Sequence, residues 1–298
     1  MKVLLFLLAA WAQFMAYSPA YQGPGDIFSW AAWGGFRCYS NAYSGNVADV
    51  WDTATGNTTE TLITCSPGGT LNQTIHALSV TCAVSCSVKE LYDQSGANKC
   101  GGSACNWFGG APPTNFAEWP VLQLNAINSS YCMSFNPSNS QLIKNTTVSF
   151  YQLQPYTMEA IALRTTGQGA TFNFLWGNAG GGGGAAQLYY DTGNNQISAT
   201  SGIDLVVSAT DGVFHAINYV ATGSTTSKLQ IDGNITTGTN TGSGTWGTSG
   251  SPTDMDIGVD GFSNFMNGTI CEVGVAAGDQ SGNLAALNAN QHAAYGSW

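Results

Sequence analysis

From about residue 130 onward the chain breaks into short runs in which apolar and polar positions alternate, each closed by Gly, Asn or Thr. The clearest is Phe214-His215-Ala216-Ile217-Asn218-Tyr219-Val220. A period of two places alternate side chains on opposite faces, so such runs predict strands with one buried face. The pattern predicts strands at Cys132–Phe135, Tyr156–Arg164, Thr171–Trp176, Gln187–Asp191, Gln196–Ser201, Phe214–Ala221, Ser227–Ile231, Asp254–Val259 and Asn267–Ala276. Asp232-Gly233 and Asn194-Asn195 have the chemistry of tight hairpin turns. Regular short strands with such turns make a sandwich or barrel. A last stretch, about Leu284–Tyr295, reads as a helix stopped by Gly296.

The first half is less regular. Thr70-Leu71-Asn72-Gln73 resembles a capping box, and Leu71, Ile75, Leu78 and Cys82 follow at helical spacing. That predicts a helix over 71–81. Ser87–Tyr92 alternates like a strand and runs into the turn residues Asp93-Gln94-Ser95-Gly96. Tyr17–Gly25 reads as a Pro/Gly-containing linker. Ahead of it, Lys2, the apolar run Val3–Ala10 and the small-x-small triplet Ala10-Trp11-Ala12 form the pattern of a signal peptide. The alternative is an N-terminal assembly arm over 1–20 that packs against a partner. The run is too short to span a bilayer. The remainder, 26–298, reads as a single domain: a Cys-rich part (26–140), a sandwich core (130–280) and the final helix.

Composition narrows the setting. Charged residues make up only 8% of the 298, with seven Lys plus Arg and a net charge of −10, against about 25% charged in an average domain. No basic groove for nucleic acid or an anionic membrane can be built from that. A neutral partner such as a glycan or polysaccharide fits better. Eight cysteines, at 38, 65, 82, 86, 100, 105, 132 and 271, read as disulfides in an exported chain. Zinc is the rival reading, through Cys82-x3-Cys86 and Cys100-x4-Cys105, but His76, His215 and His292 are scattered. No cofactor is expected. A calcium site at Asp254, Asp256 and Asp260 is conceivable on ligand chemistry, with a solvated strand edge as the plainer reading.

Four pieces in order resemble the concanavalin A-like or laminin-G-like jelly roll. They are Tyr156–Ala162, Phe214–Tyr219, Lys228–Gly233 and Asn267–Val273. A narrower resemblance lies upstream. Arg37–Tyr43, and Thr81–Cys86 leading into Leu91-Tyr92-Asp93-Gln94-Ser95-Gly96, are similar to the catalytic domain of α-L-arabinofuranosidase B, glycoside hydrolase family 54. Similar domains also occur in bacterial and phage surface proteins. The resemblance implies a Cys82–Cys86 disulfide. Proximity then suggests Cys100–Cys105 and Cys38–Cys65, leaving Cys132–Cys271.

Retaining glycosidases need two carboxylates, a nucleophile and an acid/base. The family's Asp-x-Glu-Asn-Asn nucleophile segment is matched by Asp191-Thr192-Gly193-Asn194-Asn195. Asp191, Asn194 and Asn195 fit as ligand-binding groups, but Gly193 stands where the nucleophile belongs. The acid/base segment is matched by Gly258–Asn264, with Asp260 in the acid/base position. Where the family has a sugar-contacting vicinal cysteine pair, this chain reads Phe172-Asn173-Phe174. Trp176 and Trp246, beside Gly-rich stretches, are the best aromatic platforms for a sugar; most of the nine tryptophans should be core. Gly180–Gly184 reads as a flexible loop at the sandwich edge rather than a phosphate loop, because no helix signal follows.

Loss of a nucleophile removes most of the rate while binding groups persist. The expectation is therefore a secreted or surface-located, glycan-binding jelly roll derived from a glycosidase. Two alternatives remain. One is a structural surface or decoration protein of a virion or filament, forming a homo-oligomer or larger assembly. The other is an active retaining α-L-arabinofuranosidase. Six Asn-x-Ser/Thr sequons occur, at Asn57, Asn72, Asn128, Asn145, Asn234 and Asn267; they matter in a eukaryotic secretory host.

Overall fold

A computed structural model describes residues 20–53, 60–74, 77–79, 82, 85–98, 104–109, 118–148, 155–166, 173–178, 186–190, 196–200, 204–222, 226–238, 253–259 and 264–296. The strands of the Cys-rich part are β1 (Ala32–Gly35), β2 (Gly45–Asp52), β3 (Glu60–Ser66), β4 (Thr70–Leu71), β5 (Cys86–Leu91), β6 (Trp107–Phe108), β7 (Val121–Ile127) and β8 (Ser130–Phe135). They are followed by β9 (Ile143–Val148), β10 (Tyr156–Arg164), β11 (Asn173–Asn178), β12 (Gln187–Tyr190), β13 (Gln196–Thr200) and β14 (Asp204–Ser208). The chain ends with β15 (His215–Ala221), β16 (Ser227–Ile231), β17 (Asn234–Gly238), β18 (Thr253–Ile257), β19 (Gly268–Ala277) and helix α1 (Leu284–Tyr295).

All the strand pairings are antiparallel, and they form two layers. In one, β19 lies between β10 on one side and β1 and β8 on the other, and β10 continues through β15 and β16 to β17. In the other the order is β14-β13-β12-β11-β18-β9-β6-β5-β2-β3-β4. Strand β7 pairs with both β8 and β5 and joins the layers. The fold is an all-β jelly-roll sandwich. Its main core takes Met158, Ala160 and Ala162 from β10, Ile217 and Tyr219 from β15, and Leu188, Ile257 and Trp176 from the facing sheet. The Asp232-Gly233 hairpin forms as its sequence predicts: both residues have positive φ (52° and 84°), the requirement of a tight turn between twisted strands.

Helix α1 covers the outer face of the first layer. Ile161, Ala216, Cys132, Cys271 and Tyr295 form a second apolar cluster beneath it. Strands β10, β15 and β19 are therefore buried on both faces. Glu159, Asn218 and Glu272 lie on the face away from the main core, where the strand pattern would turn Glu159 and Glu272 to solvent, yet none of them meets it. The polar stripe of α1 meets them instead. Gln291 Nε2 donates to Glu159 Oε2 at 2.6 Å, and Asn218 Nδ2 donates to Gln291 Oε1 at 2.9 Å. Trp33 Nε1 donates to Glu159 Oε1. Arg37 grips Glu272 through Nε and Nη2 at 2.6 and 3.0 Å and donates to Asn290 Oδ1 at 2.6 Å. The Tyr295 hydroxyl donates to Glu272 Oε2 at 2.9 Å. Burial opposes the charge on Arg37, but the Glu272 carboxylate outweighs it and raises the guanidinium pKa. Burial, reinforced by Glu272, pushes the Glu159 carboxyl well above the usual carboxylate range.

Three disulfides are described: Cys38–Cys65, Cys82–Cys86 and Cys132–Cys271. Cys105 is disulfide-bonded as well, and its expected partner Cys100 lies outside the described residues. Two expectations need correction. The helix predicted over 71–81 does not begin at Thr70, which pairs with Ser66 as part of β4. Among the described residues of this stretch 77–79 are helical, and Thr74 caps them, its Oγ1 accepting from Ala77 N at 3.1 Å. The stretch read as a linker is also packed from Tyr21 onward. The Tyr21 hydroxyl donates to Cys38 O, Asn290 Nδ2 donates to Gln22 O at 2.7 Å, and Trp30 Nε1 donates to Pro24 O at 3.2 Å. The leader segment 1–19 lies outside the described residues. No helix among the described residues is long and apolar enough to cross a membrane.

Candidate functional site

The flanks of the two segments matched to the glycosidase carboxylates lie at one place, the start of β11. Asn173 pairs with Tyr190, the residue before Asp191. The Asn173 side chain also accepts from Asn267 N at 2.8 Å. Asn267 follows the stretch containing Asp260, whose flanks are joined by a Val259–Phe265 bridge and by Met266 N donating to Gly258 O at 2.7 Å. Gly258 is required there: its φ is +86°, and a Cβ would lie 2.4 Å from the Phe135 ring. Asn173 is itself 2% exposed, and it ties the two flanks structurally, Asn267 through its amide and Tyr190 through its backbone.

A polar chain backs this end of the sandwich. Arg164, at the end of β10, pairs with Asp211 through Nε at 2.7 Å and Nη2 at 3.0 Å. Its guanidinium lies 5.2 Å from the centre of the Tyr190 ring, and the Tyr190 hydroxyl donates to Ala162 O at 3.2 Å. Burial raises the Tyr190 pKa, so the phenol stays neutral. His215 fixes the Asp211 loop. Its Nε2 lies 2.9 Å from Thr210 O and its Nδ1 2.6 Å from Asp232 Oδ2. Burial alone would lower the imidazole pKa, but the Asp232 hydrogen bond outweighs it and the net shift is upward. With both ring nitrogens engaged, His215 is a structural residue and not a base.

Of the residues singled out in the sequence, Asp191, Asn194, Asn195, Asp260, Gly193 and Trp246 lie outside the described residues. Trp176 is corrected: it is fully buried in the main core, because its position on β11 points between the sheets, and it offers no ring to a sugar. Asp256 is buried too (4% exposed) and is no solvated edge. No cluster of metal-ligating side chains exists among the described residues. Local sequence patterns assign no role to Arg164, Tyr190 or Asp211, and mark Asn173 only as standing where the family has its cysteine pair. One signal for Arg164 was available: it is one of only two arginines in the chain, and it closes a strand that is otherwise nearly all apolar. Both arginines are buried.

The motif Tyr92-Asp93-Gln94-Ser95-Gly96 proves architectural. Asp93 accepts from Trp33 N (3.1 Å), Ser95 N (3.0 Å) and Cys105 N (2.9 Å). Gln94 accepts from Tyr39 N at 3.1 Å and donates to Gly35 O at 2.8 Å. A second carboxylate pair lies on the outer face of β2 and β3. Burial raises Asp49 to about 7, while hydrogen bonds from Asp49 and Lys89 lower Glu60 to about 2. Lys89 bridges the pair, 3.0 Å from Asp49 Oδ2, which makes it a clamp across three strands.

No family model matches the sequence, and no curated protein is detectably similar to it. Solved structures are similar in fold. An arabinofuranosidase complexed with arabinofuranosyl-α-1,2-xylobiose superposes with a TM-score of 0.67 at 16% identity, over 92% of this chain and 65% of that one. A glutamate-to-glutamine mutant of a family 54 α-L-arabinofuranosidase, soaked with 4-nitrophenyl α-L-arabinofuranoside, gives 0.65 at 16% identity, over 92% and 66%. The same enzyme type soaked with a cyclic sulfate inhibitor gives the same values. The chain therefore spans just under two thirds of the length of these proteins. Across nine tenths of its own length, it has the β-sandwich fold of the family 54 α-L-arabinofuranosidases.

Proposed function

We propose that this protein is an exported glycan-binding domain, with the leader in 1–20 and a single domain over 26–298, that has lost the nucleophile of an arabinofuranosidase-like ancestor. The observation that supports this reading is that Asn173 contacts a flank of each stretch: Tyr190, directly before Asp191, and Asn267, after the stretch containing Asp260. Asp191, Asn194, Asn195 and Asp260 are then the groups that hydrogen-bond sugar hydroxyls. Gly193 has no side chain to attack an anomeric carbon, so the double-displacement route is closed. An acidic protein with seven cationic side chains suits a neutral sugar. Because the fold neighbours were solved with arabinofuranosyl ligands and inhibitors, arabinose-substituted xylo-oligosaccharides are the first ligands to try.

The test measures two things on one preparation. Isothermal titration with an arabinofuranosyl xylo-oligosaccharide should give binding that Asp260→Asn weakens at least tenfold. Hydrolysis of 4-nitrophenyl α-L-arabinofuranoside should not exceed the uncatalysed rate. Nitrophenol release abolished by Asp260→Asn would replace this reading with an active enzyme. No binding to any member of a broad glycan array would remove the glycan altogether.

A further inference from the structure

The structure separates the sequons sharply. Asn145 is buried in β9 and its amide donates to Asn106 O at 2.6 Å. Asn267 is followed two positions on by Thr269, whose hydroxyl is engaged, donating to Gln123 Oε1 at 3.0 Å; Gly268, between them, packs against Leu163 O. In Asn72-Gln73-Thr74 both the amide and the hydroxyl are in use. Asn72 accepts from Thr64 N at 2.7 Å, and Thr74 Oγ1 caps the helical turn. Asn128 sits in the left-handed turn between β7 and β8 and donates to Ala294 O at 3.1 Å. Asn57 lies outside the described residues.

Asn234-Ile235-Thr236 differs from all of these. It opens β17, directly after the Asp232-Gly233 turn, and all three residues are exposed. Neither Asn234 nor Thr236 makes a side-chain hydrogen bond among the described residues. In a strand, residues two apart share a face, so the amide and the hydroxyl project from the same exposed side of β17. Among the described residues β17 pairs with β16 alone, and Ile235 is 50% exposed. An open strand edge with an exposed apolar side chain invites pairing with another chain.

We propose that Asn234 is an N-glycan acceptor and that the glycan shields the β17 edge. This rests on the export reading above. The donor is a polyprenyl-diphosphate-linked oligosaccharide. The Asn234 amide nitrogen forms a bond to the sugar C1, the C1–O bond to the diphosphate breaks, and the amide proton leaves to a base of the transferase. A glycan here displaces no internal contact of the fold, whereas one on Asn145 would break the β9 packing.

The full chain is produced in a yeast secretory host in two forms, one with its own leader and one with the host's. Peptide mapping after enzymatic deglycosylation in heavy-oxygen water marks each occupied asparagine. The expected result is an occupied Asn234 with Asn145 and Asn267 unmodified. Asn234→Gln should lose one glycan's mass, and the enzymatically deglycosylated protein should self-associate at lower concentration than the glycosylated form. Secreted protein with a bare Asn234, or a glycan on Asn145, overturns the proposal. If only the host leader gives secretion and Asn234 is occupied, the site stands and the native leader fails.

Discussion

Removing the Cys132–Cys271 disulfide should destabilise the protein far more than removing Cys82–Cys86. The two bridges close loops of very different size, with sequence separations of 139 and 4. In the chain-entropy account, a crosslink over n residues takes about 2.1 + 1.5R ln n cal/mol/K from the unfolded ensemble. At room temperature that amounts to about 5 kcal/mol for the long loop and about 2 kcal/mol for the short one. Neither loop encloses the other, so the two contributions are separable. Cys132 and Cys271 are also fully buried beside Ile161, Ala216 and Tyr295, so truncation there leaves a small void that adds to the loss. The assay is guanidinium denaturation of the Cys132→Ala/Cys271→Ala and Cys82→Ala/Cys86→Ala variants, followed by tryptophan fluorescence. The expected gap between them is about 3 kcal/mol, or a difference of roughly 5 °C in Tm for a domain of this size. If the Cys82–Cys86 variant loses as much as the other, loop closure is not what these bridges contribute.

Glu272→Gln should cost about 3–5 kcal/mol in urea denaturation, because it leaves the buried Arg37 guanidinium without its counter-charge. Glu159 titrates abnormally high in the folded protein, so the stability it contributes is fully present below its ordinary pKa of 4.5. That contribution is lost as pH rises towards the folded value, and thermal melts across pH should show Glu159→Gln flattening this decline. Asp93→Ala removes one carboxylate from three backbone donors and should lower stability by at least about 2 kcal/mol, read from the denaturation midpoint. A loss under about 0.5 kcal/mol would show that the motif is not the tie described.

Local periodicity carried the second half of the chain. Tyr156–Arg164, Ser227–Ile231 and Leu284–Tyr295 form with the bounds that alternation, turn residues and Gly296 indicate. The Cys-rich half was harder for physical reasons. Ala32–Gly35 is buried at every position and shows no alternation, and a bulge between Asn46 and Ala48 breaks the period of two in β2. Thr70 carries a capping-box pattern, but pairing with Ser66 competes for its backbone and wins. Glu159 and Glu272 show the limit of pattern reading. Alternation assigns their face, while only the tertiary placement of α1 decides that this face is dry. The site is legible only through resemblance. No spacing within Asp191–Asn195 or Gly258–Asn264 says that their flanks lie together, and Asn173, which contacts Tyr190 and Asn267, looks like an ordinary strand residue.

The hydrogen bond from Asn290 to Gln22 joins positions 268 residues apart. It has a mechanical consequence. Tension applied between residue 22 and residue 290 is taken up locally, by that bond and by the Arg37, Asn290 and Glu272 contacts behind it. The sandwich between them lies outside the shortest load path. A protein tethered through these two points should therefore yield first by peeling α1 from its buried polar seat, with the β-layers intact until the helix is gone.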